Sequence, residues 1–233
     1  MTVDTANGPS PDQIEAVVKA FMGRRDEIEL FRRQVVDFFM VTSQFNSPPL
    51  PLIHSVKSRI KDVNHLQEKV VRKWCDGPIT PENIFERITD LAGVRVIHLH
   101  SRQFRDIHQA ILNRIDANYW TLFEAPVAYS WDPEATNFFN SLGLRAETRE
   151  TYYTSIHYVI KPQAGADLTC EIQVRTLFEE AWAEIDHALN YPLLTSSVAC
   201  KEQVRVLAKL ASTGTRLADS IFTVLEHERT QSR

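Results

Sequence analysis

The chain has 233 residues, 43% of them hydrophobic and 24% charged, so it is long enough to bury a substantial core and reads as one globular domain with helical extensions. With 26 Lys+Arg against 30 Asp+Glu the net charge is −4, which excludes gripping nucleic acid by bulk charge and leaves any polyanion site to a local cluster. No apolar run approaches the ~18 residues of a membrane span, and the start, MTVDTANGPSPDQ, lacks the basic flank and apolar stretch of a signal peptide. Cys75, Cys170 and Cys200 are odd in number and widely spaced, as reduced thiols are. A cytoplasmic protein is expected, with no structural metal and no membrane partner.

Residues 1–12 are rich in Gly, Pro and Ser and read as a flexible arm. Over residues 13–50, Ile14, Val17, Val18, Phe21, Ile28, Phe31, Val35, Phe38 and Phe39 recur at helical spacing and predict one long helix or two in series, ended by Ser47-Pro48-Pro49. Ser55–Lys61 alternates as a strand does, so Lys57, Arg59 and Lys61 share one face. Asp62 or Asn64 can cap a helix carrying Leu66, Val70 and Trp74, and Thr80-Pro81-Glu82 predicts a further helix to about Asp90. Gly93–Leu99 reads as a buried strand, and Phe104, Ile107, Ile111 and Ile115 mark the helix that covers it.

Residues 117–150 mix aromatics with Pro126, Pro133 and Gly143 and read as a variable insertion, with one short helix opened by Asp132-Pro133-Glu134. Tyr153–Ile160 and Leu168–Arg175 predict a hairpin across the turn at residues 162–166. Thr176-Leu177-Phe178-Glu179 fits a capping box, and the helix it opens is expected to bury Leu177, Ala181, Trp182, Ile185 and Leu189. Residues 193–233 form a C-terminal helical region, leaving 51–192 as the central domain.

Each hairpin strand has a face suited to a ligand: Glu171, Gln173 and Arg175 on one, Tyr153, Ser155 and His157 on the other. With Lys57, Arg59 and Lys61 they supply cations for phosphates, a ring for stacking, a histidine and a carboxylate able to take a proton, which is what nucleotide chemistry needs. An antiparallel sheet with one wet face shows the same alternation without any function, so the reading rests on agreement among separate segments.

Arg59-Ile60-Lys61 with Lys69, Asp90-Leu91-Ala92-Gly93-Val94-Arg95, Tyr153-Thr154-Ser155-Ile156-His157, and Glu171-Ile172-Gln173-Val174-Arg175-Thr176 followed by Trp182–His187 occur in that order. Together they resemble the synthetase domain of the RelA/SpoT family of alarmone synthetases, over about residues 52–192. The resemblance implies an α/β (α+β), nucleotidyltransferase-like fold: a mixed, largely antiparallel five-stranded sheet flanked by helices, with helical N- and C-terminal extensions. It implies a small, synthesis-only pyrophosphokinase that uses Mg²⁺ to transfer the β,γ-pyrophosphate of ATP to the 3′-hydroxyl of GDP or GTP, giving (p)ppGpp and AMP.

By the same resemblance Asp90 binds the metal, and Glu171 completes the metal site or acts as base. Arg59, Lys61, Lys69 and Arg95 hold ATP; Tyr153 stacks on the acceptor base; and His157, Gln173 and Arg175 line the acceptor pocket. Three positions depart from the family's pattern: Tyr152 replaces a glycine, His65 a serine, and Glu180 a His or Asn whose replacement would disfavour nearby phosphate. Two other readings stay open. One is the same chemistry on an adenine nucleotide or a tRNA 3′ end, as toxin members perform it, with Arg24, Arg25, Arg32 and Arg33 as the basic patch. The other is a catalytically inactive nucleotide-binding regulator. A homo-oligomer through the helical ends, and an antitoxin or regulatory partner, are further expectations.

Overall fold

The computed structural model describes residues 8–47, 50–149, 151–190 and 195–231. Two consecutive helices, α1 (Pro11–Gly23) and α2 (Arg25–Val41), lead the chain, and the single turn α3 (Ser43–Asn46) follows. A capping box starts α1 at Ser10, whose hydroxyl accepts from the Gln13 N–H, so Pro11 and Asp12, assigned to the arm, are already helical. Of the one long helix or two in series that the sequence allows, the structure has two, divided at Arg24, and Pro48 and Pro49 lie outside the described residues.

A seven-stranded sheet forms the centre of the molecule: β1 (Ser55–Ile60), β2 (Ala92–His98), β3 (Thr121–Leu122), β4 (Val127–Tyr129), β5 (Arg145–Glu147), β6 (Ser155–Lys161) and β7 (Cys170–Thr176), in the order β1-β2-β7-β6-β4-β5 with β3 also on β6. Two strand pairs are parallel, β2 with β7 and β4 with β5, and the other four are antiparallel. The mixed, largely antiparallel class is as expected; the strand count is not. β3, β4 and β5 come from residues 117–150, which the sequence presents as an insertion, because strands of two or three residues are too short to show alternation.

Helices α4 (Val63–Lys73), α5 (Ile84–Arg87), α6 (Gln103–Asp116), α7 (Pro133–Ser141), α8 (Leu177–Asn190) and α9 (Val198–Gln231) complete the fold. Asp62 caps α4 and Asp132 caps α7, each carboxylate accepting from two backbone N–H groups. The helix expected from Thr80 to Asp90 is only one turn, since Asn83 Oδ1 accepts the Thr80 N–H and its amide reaches the Pro78 carbonyl, drawing the segment into a turn. Val17, Phe21, Ile28, Phe31, Val35 and Phe39 of the first two helices join Val94, Val96, Ile156, Tyr158, Ile172 and Val174 in one core on one side of the sheet.

On the other side, the capping box expected at Thr176 is present: Glu179 Oε2 accepts the Thr176 N–H at 2.6 Å, and Thr176 Oγ1 accepts the Glu179 N–H at 3.3 Å. The helix it opens, α8, buries Trp182 and half-buries Leu189 as expected, but its inward face is otherwise different. Leu177 and Ile185 are exposed, whereas Glu180 and Trp182 are buried. The next helix, α9, lies against α8, and Gly214 permits the approach: a Cβ there would sit 2.7 Å from Phe178 Cε1.

Candidate active site

Alternation along β1, β2, β6 and β7 gives the sheet a second, polar face. Register aligns Arg59 with Gly93 and Gly93 with Glu171 in one row, and Lys57 with Arg95, Gln173 and His157 in the next. Gly93 has no side chain to fill the space between Arg59 and Glu171, and an added Cβ would meet only Arg59 Cγ, at 3.9 Å; it opens the floor and is not needed for tight packing. The result is a cleft of about 560 Å³ whose walls include Arg59, Asp90, Arg95, Tyr153, Glu171, Gln173 and Arg175.

Asp90, in the turn before β2, is gripped by two lysines: Lys61 Nζ lies 2.8 Å from Oδ2 and Lys69 Nζ 2.6 Å from Oδ1. Lys61 follows the end of β1, with its backbone N–H on the Leu91 carbonyl, and Lys69 comes from α4. Burial pushes the Asp90 carboxyl up, but Lys69 and Lys61 overcome this and hold it below the usual carboxylate range. Burial lowers Lys61 in turn, offset in part by Asp90.

Glu171 Oε1 lies 3.1 Å from His157 Nδ1, and Oε2 accepts from Gln173 Nε2 at 2.8 Å. Burial raises this carboxyl, and the His157 hydrogen bond and charge more than compensate, so it too stays below its ordinary value. Tyr153 Oη is 2.9 Å from His157 Nε2 and accepts from Arg175 Nη2 at 2.9 Å; Arg175 also donates to Gln173 Oε1 at 2.6 Å. Tyr153, His157, Glu171, Gln173 and Arg175 are therefore one hydrogen-bonded group, and burial raises the Tyr153 phenol, keeping it protonated.

Two further carboxylates belong to the same site: Glu180, which the sequence reading named only as a departure that would repel phosphate, and Glu184, to which it gave no role. Glu180, 3% exposed, lies 2.8 Å from Lys57 Nζ, 2.9 Å from Arg95 Nη1 and 3.5 Å from Arg175 Nη1. Glu184, one turn on, lies 3.0 Å from Arg95 Nη1 and 3.8 Å from Lys57 Nζ. The expected repulsion of phosphate by Glu180 is thus corrected: burial raises its carboxyl, but Lys57 and Arg95 leave it below the ordinary value, as an anion already matched by cations. The i,i+4 spacing of Glu180 and Glu184 was the available signal, hidden because charged residues normally face water. Tyr129 was also missed; β4 brings its ring to 5.0 Å from His157 and 6.1 Å from Tyr153.

Tyr152, in place of a glycine, has φ +63°, the left-handed conformation that glycine adopts without cost. Its ring packs on Trp131 at 5.0 Å, a contact that offsets the strain.

All ten residues expected at the site converge on this face: Asp90, Glu171, Arg59, Arg95, Tyr153, Gln173 and Arg175 line the cleft, Lys61 and Lys69 back Asp90, and His157 links Glu171 to Tyr153. The fold and the cleft together define a helix-flanked open-sheet protein with a polar site suited to a polyanion.

Residues 58–194 match the region found in RelA / SpoT proteins, more than half of the chain. The chain belongs to the RelA/SpoT family, as the sequence blocks indicated. It is 28% identical over 143 residues to GTP pyrophosphokinase YwaC of Bacillus subtilis (strain 168), a stretch covering 61% of this chain and 60% of that relative, so less than two thirds of the relative is spanned. The crystal structure of small alarmone synthetase 1 from Bacillus subtilis bound to its product pppGpp superposes with a TM-score of 0.64 at 20% identity, over 88% of this chain and 95% of that one. The same protein bound to AMPCPP gives 0.57 at 19% identity, over 87% and 94%. At these identities the superpositions show a shared fold.

Proposed function

We propose that the chain is a pyrophosphokinase that transfers the β,γ-pyrophosphate of ATP to the ribose 3′-hydroxyl of GDP or GTP, making (p)ppGpp and releasing AMP. The observation that carries this reading is the convergence of Asp90 and Glu171 in one cleft beside Arg59, Arg95 and Arg175, with Lys61 and Lys69 on Asp90. The relative named a GTP pyrophosphokinase, and the like-folded structures holding pppGpp and AMPCPP, support it.

In this reading Arg59 and Arg95 flank the adenine end of ATP, where a planar guanidinium can stack as well as donate to phosphate. Lys61 and Lys69 take the phosphates, Tyr153 stacks on the acceptor base, and Gln173 and Arg175 fix the acceptor by hydrogen bonds. Glu171, kept ionised, accepts the proton of the 3′-hydroxyl as that oxygen bonds to the β-phosphorus; the bond from the α,β-bridging oxygen to the β-phosphorus breaks, and AMP leaves with that oxygen. The donor set also fits magnesium, since two ionised carboxylates, Asp90 and Glu171, face one cleft and a hard cation takes one or two carboxylates plus phosphate oxygens. When bound, the ion neutralises charge on the transferred phosphates.

The test is thin-layer separation of products from labelled ATP with Mg²⁺ and GDP, GTP, ATP or tRNA offered side by side. AMP and a labelled guanosine product formed only with GDP or GTP are expected; transfer to ATP or tRNA alone would replace the acceptor, and no transfer to any would leave a nucleotide-binding regulator. Pairing between copies of this chain is part of the proposal, supported by Leu210, Leu217 and Val224, exposed on α9 at seven-residue intervals. Light scattering giving a monomer at micromolar concentration would remove it.

A further inference from the structure

Between α7, α8 and α9 lies a second cavity, of about 210 Å³, separate from the catalytic residues but sharing Trp182 with the cleft. Opposite the large rings of Trp131, Tyr152 and Trp182, α9 presents the small side chains of Ala208, Ala211, Ser212 and Thr215, with Arg216 and Asp219 in the same wall. Trp131 and Tyr152 pack at 5.0 Å, and the Trp182 indole N–H donates to the Val204 carbonyl at 2.9 Å, which fixes that ring in the wall. An apolar cavity of about 150 Å³ holds benzene, so this one holds a ligand of about six to eight heavy atoms.

Its charge is lopsided. Arg216 is engaged by Asp132 at 3.5 Å and Glu134 at 3.2 Å, and Arg102 by Glu226 at 3.6 Å. Among the described residues Asp219 has one ion-pair partner, His100 at 3.0 Å, and also accepts the Arg102 backbone N–H at 3.1 Å, while Glu179 has no ion pair. Burial pushes the Glu179 carboxyl above its ordinary value, an effect that its bonds to Thr176 and the charge of Arg175 only partly offset. Three aromatic side chains line the cavity beside Glu179 and Asp219, two carboxylates with no Lys or Arg ion pair among the described residues, a combination with affinity for positive charge.

We propose that this cavity is a second ligand site that takes a small organic ammonium ion, its charge met by Glu179 and Asp219 and its alkyl groups by Trp131, Tyr152 and Trp182. The site is independent of the reaction proposed above, and its test needs no turnover.

The test is titration of the full chain at pH 8 and constant ionic strength with choline, and separately with its uncharged isostere 3,3-dimethylbutan-1-ol, followed by tryptophan fluorescence. A saturable change with choline alone is expected. Glu179→Gln keeps the capping-box bond to the Thr176 N–H, because glutamine also caps at that position, and is expected to weaken choline about tenfold. Ala211→Leu fills the cavity and is expected to abolish binding with the circular dichroism spectrum unchanged; if it does not fold, Glu179→Gln decides alone. No saturable change, an equal response to the alcohol, or undiminished choline binding in a folded variant overturns the proposal.

Discussion

The two faces of β2 and β7 are built from alternate residues of the same short segments, yet they are held in opposite ways. On the core face, Ala92, Val94, Val96, Cys170, Ile172 and Val174 are buried among apolar neighbours, and what matters is summed volume. On the cleft face, Arg95, Glu171, Gln173 and Arg175 each have named polar partners, and what matters is the identity of each group. A core residue can be exchanged for another of similar shape, whereas removing one charge from the cleft strands its partner.

That contrast breaks most sharply at the carboxylates. Glu171→Gln is expected to lower AMP release by about 10²- to 10⁴-fold with an unchanged circular dichroism spectrum, the loss typical of a removed general base; activity within a few-fold of wild type would remove Glu171 from the reaction. Glu180→Ala leaves Lys57, Arg95 and Arg175 without their anion and is expected to destabilise the fold by about 3–5 kcal/mol, read by urea denaturation. The Glu180 carboxyl lies below its unfolded value, so its stabilisation is fully present above about pH 4 and lost as pH falls through the lower folded value. The acid limb of a stability profile should therefore be shallower in Glu180→Gln than in wild type.

On the opposite face of the same strand, Ile172→Ala is expected to cost about 2–5 kcal/mol while kcat at low temperature is kept; a large fall in kcat would show that the faces are not separable. Smallest is Glu184→Gln. Its carboxylate is 56% exposed and shares Arg95 and Lys57 with Glu180, so its loss is expected to tighten ATP binding on the order of two- to fivefold at low salt, an effect that fades at high salt.

The strands that carry the site were legible for two reasons: β7 alternates apolar and polar residues from Cys170 to Arg175, and β2, buried on both sides toward its end, is rich in β-branched residues. β4 and β5, three residues each, leave no such pattern, and Tyr129 was lost with them. Helix α8 was misjudged for a different reason: apolar spacing put Leu177 and Ile185 inward, but the cations of β1, β2 and β7 draw Glu180 to that side. A helix's buried face is set by what it packs against, and three strands' worth of positive charge lies far away in sequence. Of the two caps the sequence offers for α4 the structure uses Asp62, and the helix starts read at Asp132 and Thr176 are also present, since their partners lie within three residues, whereas the start read at Thr80 gives way to one at Asn83.

The double clamp on Asp90 has a kinetic corollary. With Lys61 on one oxygen and Lys69 on the other, the carboxylate is internally neutralised. In the proposed reaction a divalent ion arriving alone at Asp90 competes with two tethered ammonium groups, whereas a triphosphate offers those lysines another anion. Initial-rate kinetics in which the donor nucleotide binds before, or together with, its counter-ion are the expected outcome.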